Sequence, residues 1–253
     1  MVVLDNVSKL YDGHAALAPT SLEFEAQRVT VLIGPSGCGK STLLRMIVGL
    51  VAPDTGRVAI GGETLTKENA TRLRRAIGYV IQEGGLFPHL TAEENVVLVP
   101  RFLNREKSWI ASRLAELAEL ARLPGDSLKR YPRDLSGGQR QRVGIMRALM
   151  LDPSLLLLDE PLGALDPITR YELQEELKRI FSALAKTVIL VTHDMSEAAH
   201  FGDEIILMRD GRIVQRGTTA DLMERPAEQF VRDFMRSQRA SLPERPLSNE
   251  THE

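Results

Sequence analysis

Two short stretches of this chain carry residues spaced to hold phosphate. The first, Gly34-Pro35-Ser36-Gly37-Cys38-Gly39-Lys40-Ser41, follows the apolar run VTVLI and precedes TLLRMIVGL, which has the look of a helix. Glycines at this spacing let backbone N–H groups curl around phosphate oxygens without Cβ clashes. The helix that follows turns the positive end of its dipole toward them. Lys40 is then placed for the β- and γ-phosphates, and Ser41 for a Mg2+ ion. Cys38, inside the loop, reads as a steric filler rather than a redox group. The second stretch is LSGGQRQR, Leu135 to Arg142, a hydroxyl and two glycines followed by arginines. One nucleotide needs one cradle, so the second raises the question of whose phosphate it meets.

Carboxylates suited to the first stretch close the run LLLLDE, Leu155 to Glu160. Asp159, at the end of a buried strand, is placed to hold Mg2+ through water. Glu160, one residue on, is placed to orient and deprotonate an attacking water. Adjacent acids also suit a solvated turn, a reading that the phosphate loop in the same chain weakens. Together these residues imply that a nucleoside triphosphate is bound with Mg2+ and hydrolysed. Three more side chains fit such a site. Gln82 ends IGYVIQ, where its amide meets both metal and water. His193 ends TVILVTH, on the same edge as Asp159, in reach of a γ-phosphate. Tyr11 precedes a turn and suits either stacking on a purine base or simple packing.

The elements that must carry these residues alternate. VTVLIG (29–34), LLLLDE and TVILVTH (187–193) lack polar alternation, as strands buried on both faces of a parallel sheet do. Helical patterns lie between them, which places the chain in the α/β class. Asp12-Gly13 and Asp210-Gly211, between strand-like flanks, predict tight hairpins. With RVAIGG (57–62) they predict an antiparallel layer added to the parallel core.

From Thr91 to Leu151 the period is helical, with no strong strand. Thr91 and Glu94 fit a capping box, and Ser108 suits the cap of a helix whose Ile110, Leu114, Leu117 and Ala121 share one face. Pro124-Gly125 then breaks it. The spacing predicts a helical insertion over about residues 88–150 within a domain spanning 1–238, and a disordered polar tail over 239–253. Ser136 and Gln139 also fit a capping box, so the helix through about Leu151 needs no ligand. The two readings are compatible, because a capped start with two glycines leaves N–H groups open to phosphate.

Composition narrows the partners. The 253 residues are 43% hydrophobic and 26% charged, enough for one large domain with an insertion. Lys and Arg number 32 against 34 Asp and Glu, without a basic stripe, which argues against a nucleic-acid partner. The cluster Arg72 to Arg75 reads as a solvated face, whereas Arg140 and Arg142 suit either phosphate steering or water. A single cysteine rules out a disulfide within the chain and suits a reducing compartment. MIVGLVA (46–52) and similar runs fall far short of the ~20 residues that cross a bilayer. Asp5 arrives before an apolar stretch of signal-peptide length. Any membrane role is therefore expected to come through a partner.

Tyr11, GPSGCGKST, Gln82, LSGGQ, LLLLDE, Ala164-Leu165-Asp166 and His193, in that order, resemble the ATP-binding subunits of ABC transporters over about residues 1–235. The resemblance implies a P-loop NTPase (RecA-like) core with an antiparallel β layer and an inserted helical subdomain. It also implies ATP and Mg2+ as ligands, and two copies set head to tail around two ATP molecules. ATP would meet Tyr11, the loop Gly34 to Thr42, Gln82 and Asp159 of one copy, and Ser136, Gly137, Gly138, Gln139 and Asp166 of the other. Ser41, Gln82 and Asp159 would serve the metal, and Glu160, His193, Gln82 and Lys40 the chemistry.

Within that family, too little chain separates Gln82 from LSGGQ for the coiled coil of the DNA-repair and chromosome class. A single phosphate loop does not match the two-domain ribosomal class. That leaves the motor of a transporter, held peripherally at the cytoplasmic face of the cell membrane by an integral permease, with a substrate-binding protein engaged indirectly. The segment EGGLFPHLTAEENV (83–96) would receive the permease, with Leu86, Phe87 and Pro88 in contact, although Phe87 also suits a core position. Import is expected, because no transmembrane region is fused to the chain. GYVIQEGGLFPHLT and GALDPITR resemble the ATPases that take up glycine betaine, choline and other quaternary-amine osmoprotectants; amino-acid or other small-solute importers are the alternative. Some such ATPases end in paired CBS modules, and the sequence stops at Glu253, too soon after Arg239 for that regulation to be expected.

Overall fold

The computed structural model describes residues 1–239 apart from residue 164. The chain opens with a long hairpin, β1 (Val2–Tyr11) and β2 (His14–Phe24). It turns on Asp12 and Gly13, whose φ angles of 48° and 80° are the left-handed pair that a two-residue hairpin demands. β3 (Val29–Ile33) then enters the core and leads to α1 (Lys40–Ile47). β4 (Thr55–Ile60) and β5 (Glu63–Thr64) return beside β1, and α2 (Ala70–Arg74) precedes β6 (Ile77–Val80). Three helices follow: α3 (Ala92–Phe102), α4 (Lys107–Leu120) and α5 (Gly137–Leu149). β7 (Leu155–Asp159), α6 (Pro167–Leu184), β8 (Thr187–Val191) and α7 (Met195–Phe201) resume the alternation. β9 (Glu204–Arg209) and β10 (Arg212–Gly217) form the second hairpin, on Asp210 and Gly211, before α8 (Thr219–Glu224) and α9 (Gln229–Arg239). Arg239 ends α9, and residues 240–253 of the expected tail lie outside the described residues.

Four strands make an antiparallel sheet in the order β2-β1-β4-β5. Six make a mainly parallel sheet in the order β10-β9-β3-β8-β7-β6, with β10 alone running antiparallel. Every residue of β7 and β8 is buried, as their unbroken apolar runs require. Leu43, Leu44, Met46 and Ile47 of α1 pack between the two sheets, against Val2, Leu4 and Phe24 on one side and Leu157 and Ile189 on the other. Each such side chain, fully removed from water, contributes about 1.5–3 kcal/mol. The second core joins α3, α5 and α6 to the opposite face of the parallel sheet through Val96, Val97, Ile145, Met146, Leu173 and Leu177. The carboxyl ends of β3, β6, β7 and β8 therefore share one edge, where open α/β sheets place their ligands.

Of the local expectations, the cap at Ser108 fails. Thr91 and Glu94 close their capping box, with Glu94 N donating to Thr91 Oγ1 at 3.2 Å and Thr91 N to Glu94 Oε2 at 2.8 Å. Ser108 is not a cap. The chain leaves α3 through a left-handed turn at Asn104 and enters α4 directly, so Glu106 takes the cap position and Ser108 lies inside the helix. Arg72, Arg74 and Arg75 are all exposed, as the solvated-face reading expects. Arg72 pairs with Glu63, while Arg74 Nε donates to the Val48 carbonyl at 2.9 Å and satisfies the end of α1.

Candidate active site

The phosphate loop is held from below by both hairpins. At Gly34, with φ of 147°, a Cβ would lie 2.1 Å from the Met208 carbonyl oxygen of β9, so only glycine fits. Gly211 N, at the tip of the β9–β10 hairpin, donates to Cys38 O at 3.2 Å, and Ala18 N of β2 donates to Gly211 O at 2.9 Å. α1 then starts after Gly39 with no side-chain cap and no acid in its first turn, which leaves N–H groups of Lys40, Ser41 and Thr42 for an anion. Lys40 is buried and donates to the carbonyls of Gly34 at 2.7 Å and Pro35 at 2.9 Å. Its ammonium is thus held by the loop's own carbonyl acceptors. Cys38 is buried, with its Sγ 3.6 Å from that ammonium.

Ser41 Oγ donates to Asp159 Oδ1 at 3.0 Å, joining the start of α1 to the end of β7. Burial pushes the Asp159 carboxyl above its usual range; the Ser41 hydrogen bond opposes that shift and the Glu160 charge adds to it. Tyr79 of β6 and Arg45 of α1 add to this cluster: burial raises the Tyr79 phenol above its usual range, the Asp159 charge adds to that shift and the Arg45 charge opposes it. Sequence reading missed both. Arg45 had a signal, since it lies four residues after Ser41 in an apolar run and so projects from the same helix face. Tyr79 had none.

Glu160 adopts φ of 48°, a left-handed conformation that costs a non-glycine residue free energy and that recurs at functional sites. Its N–H donates to Val191 O at 3.0 Å, which anchors it to the end of β8. Its Oε2 lies 3.6 Å from Nδ1 of His193, an exposed ring. The segment behind His193 is fixed from the inside. Thr192 Oγ1 donates to the buried Glu197 at 2.6 Å and accepts from Asp194 N at 3.0 Å. Gln82 opens a 3-10 turn at Gln82–Gly85 and lines a cleft of about 410 Å³ with Glu160, Gly137, Arg140 and Gln141.

LSGGQ is a capped helix start. Gln139 N donates to Ser136 Oγ at 3.2 Å, and Ser136 N to Gln139 Oε1 at 3.0 Å. A Cβ on Gly138 would sit 2.5 Å from the Thr169 methyl of α6, so α5 and α6 approach too closely there for a side chain. Ser136, Gly138 and Gln139 line a cleft of about 560 Å³ whose other wall is α6. Arg140 Nη1 folds back on Leu135 O at 2.6 Å. Arg142 neither steers phosphate nor faces water. It sits 2.6 Å from the Glu176 carboxylate of α6 and donates to Ala121 O at 2.9 Å.

Asp166 caps α6, accepting from Thr169 N at 3.1 Å, and that hydrogen bonding holds its carboxyl below the usual range. Ala164, of the same motif, lies outside the described residues. Tyr11 ends β1 exposed, with the Lys9 ammonium 5.5 Å from its ring centre, so it is no core residue. Phe87 is 43% exposed, which sets aside its core reading. No helix among the described residues is long and apolar enough to cross a membrane.

Residues 17–163, more than half of the chain, match the family described as ABC transporter, and the chain belongs to that family. Its relatives carry transport names. The choline transport ATP-binding protein OpuBA of Bacillus subtilis (strain 168) is 45% identical over 240 residues, 94% of this chain and 63% of the relative. The glycine betaine uptake system ATP-binding protein YehX of Escherichia coli (strain K12) is 44% identical over 234 residues, 92% of this chain and 76% of the relative. The chain thus spans less than two thirds of the length of the first. The dimeric structure of MJ0796, a bacterial ABC transporter cassette, superposes with a TM-score of 0.79 at 37% identity, over 86% of this chain and 98% of that one. Its dimeric post-hydrolysis state, bound to ADP and Pi, superposes at 0.78. The α/β fold expected from the sequence, a P-loop NTPase core with an antiparallel layer and added helices, is the fold of these cassettes.

Proposed function

We propose that this chain hydrolyses ATP to drive an ABC importer, and that the importer takes up glycine betaine, choline or a related osmoprotectant. The observation that carries the first part is the Ser41–Asp159 hydrogen bond at the mouth of the phosphate loop, with Glu160 and His193 3.6 Å apart on the neighbouring strand ends. Identity of 44–45% across more than nine tenths of the chain to subunits named for choline and glycine betaine supports the second.

In this reading Tyr11 stacks on the base and the loop from Gly34 to Thr42 wraps the phosphates, with Lys40 turning from its stored carbonyls to the β- and γ-oxygens. The Ser41 hydroxyl, the Asp159 carboxylate and the Gln82 amide oxygen are hard donors of the kind Mg2+ takes, and Ser41 and Asp159 already face each other. Mg2+ held there would neutralise charge on the phosphates. Glu160 orients water and takes its proton, while His193 and Gln82 hold the γ-phosphate end, roles that phosphoryl transfer reduces to position and electrostatics. Ser136, Gly137, Gly138, Gln139 and Asp166 come from a second copy set head to tail. The segment from Gln82 to Pro88 meets an integral permease, which holds the chain at the cytoplasmic face of the membrane; the substrate-binding protein is engaged only through that permease.

Glu160→Gln should bind ATP, lose at least ~100-fold in turnover and elute as an ATP-dependent dimer in size-exclusion chromatography. Ser136→Arg in the same background should abolish the dimer and leave the ATP affinity of the single chain intact. A Glu160→Gln protein that stays monomeric at saturating ATP defeats the head-to-tail arrangement. Uptake of labelled choline and glycine betaine by cells carrying the chain with its permease tests the substrate.

A further inference from the structure

Arg147 lies on α5, the helix that LSGGQ opens, with burial holding its guanidinium below the usual value. It donates to the Gly85 carbonyl at 3.0 Å and to Asn95 Oδ1 at 3.5 Å, and its guanidinium carbon is 5.8 Å from the centre of the Phe87 ring. Asn95, on α3, is fully buried. Its Oδ1 accepts from Phe87 N at 2.8 Å; its Nδ2 donates to Phe87 O, Leu90 O and Thr91 O at 3.2, 3.1 and 2.9 Å. The amide thus uses both its donor and its acceptor capacity inside the protein. A fully buried amide and a partly buried guanidinium, from two helices, both contact this loop, at a desolvation cost that a loop held by its own turns would not incur.

That loop follows Gln82 and carries Leu86, Phe87 and Pro88. α5 is 13 residues long, so a displacement at Ser136 or Gly138 reaches Arg147 along about 14–17 Å of rigid helix. We propose that Arg147 and Asn95 are positioning residues that lock residues 85–90 to α5 and α3, so that this segment moves with the LSGGQ helix and keeps Gln82 in register with Glu160. The inference rests on the reading in which ATP on a second copy presses on Ser136 and Gly138. Neither side chain touches nucleotide; both act through the backbone of the loop.

Hydrogen exchange on the full chain, read together with steady-state hydrolysis, tests the lock. Arg147→Gln and Asn95→Ala should speed exchange of amides 85–90 at least ten-fold and change those of α5 less than two-fold. The kcat for MgATP should fall at least ten-fold with KM inside two-fold, because the phosphate loop is untouched. Arg147→Lys, which keeps a donor toward Gly85, should recover part of both effects and guards against a folding defect in the other two variants. Unchanged exchange at 85–90 in Arg147→Gln overturns the lock, and so does equal loosening of α5, which would make Arg147 a general support of the helix. ATP-driven dimer formation by Glu160→Gln is the separate control. Its failure removes the second copy, whereas the exchange data still judge whether the loop is tied to α5.

Discussion

Arg142 offers the sharpest test of how the LSGGQ helix is fastened to the core. It sits 2.6 Å from Glu176, and the two side chains are 12% and 6% exposed. An exposed pair contributes at most about 1 kcal/mol. A pair this deep behaves differently, since removing one partner strands a desolvated charge at a cost of about 3–5 kcal/mol. Arg142→Ala should lose about that much, part of it from the orphaned Ala121 carbonyl. For a chain near 250 residues, 1 kcal/mol moves Tm by about 2–4 °C, so the melting point should drop by roughly 6–20 °C. Arg142→Met combined with Glu176→Leu removes both charges and keeps apolar volume, and should stay within about 1 kcal/mol of the parent or exceed it. Thermal melts and urea titrations of both variants, at low and high salt, provide the measurement; burial should make the salt arms agree. A single variant that loses under about 1 kcal/mol, or a double variant that falls as far as the single, refutes the buried-pair reasoning.

Two further outcomes follow from other contacts. Burial raises the folded-state pKa of Asp159, so the stability it contributes is full below the unfolded carboxyl range and is lost as pH rises through the raised value. Asp159→Asn should therefore melt above the parent at neutral and alkaline pH without nucleotide, with the gap closing on acidification and stabilisation by MgATP lost; a variant melting below the parent at neutral pH would count against this. Ser136→Ala removes the cap of α5 and should cost about 1 kcal/mol, or about 2–4 °C in Tm, whereas Ser136→Gly costs only a few tenths. Equal losses in the two would mean that the cap is not what the hydroxyl contributes.

What was legible in the sequence had a local cause. The loop at Gly34–Ser41, the hairpins on Asp12-Gly13 and Asp210-Gly211 and the capping boxes at Thr91 and Ser136 each depend on a few adjacent residues. Their conformations follow from glycine freedom and short-range hydrogen bonds. What was hidden depends on partners far along the chain. Arg142 could not be read because Glu176 meets it only when α5 and α6 pack, and Arg74 finds the end of α1 only across the fold. The left-handed turn at Glu160 follows from its tie to Val191 and leaves no mark in the run LLLLDE. Ser108 failed as a cap because the turn at Asn104 set the start of α4 ahead of it.

The underside of the phosphate loop has a consequence for how this protein comes into being. Among the described residues, β3, which leads into the loop, pairs only with β8 and β9, in registers such as Val29 with Val188 and Val31 with Ile205. The carbonyl of Cys38 is met by the amide of Gly211. A chain growing from its amino end therefore exposes its loop sequence long before the strands that must flank it exist. Such wide separations make assembly slow compared with local helix formation. A truncated chain that ends before Gly211 carries the whole phosphate-loop sequence yet lacks the floor that shapes it.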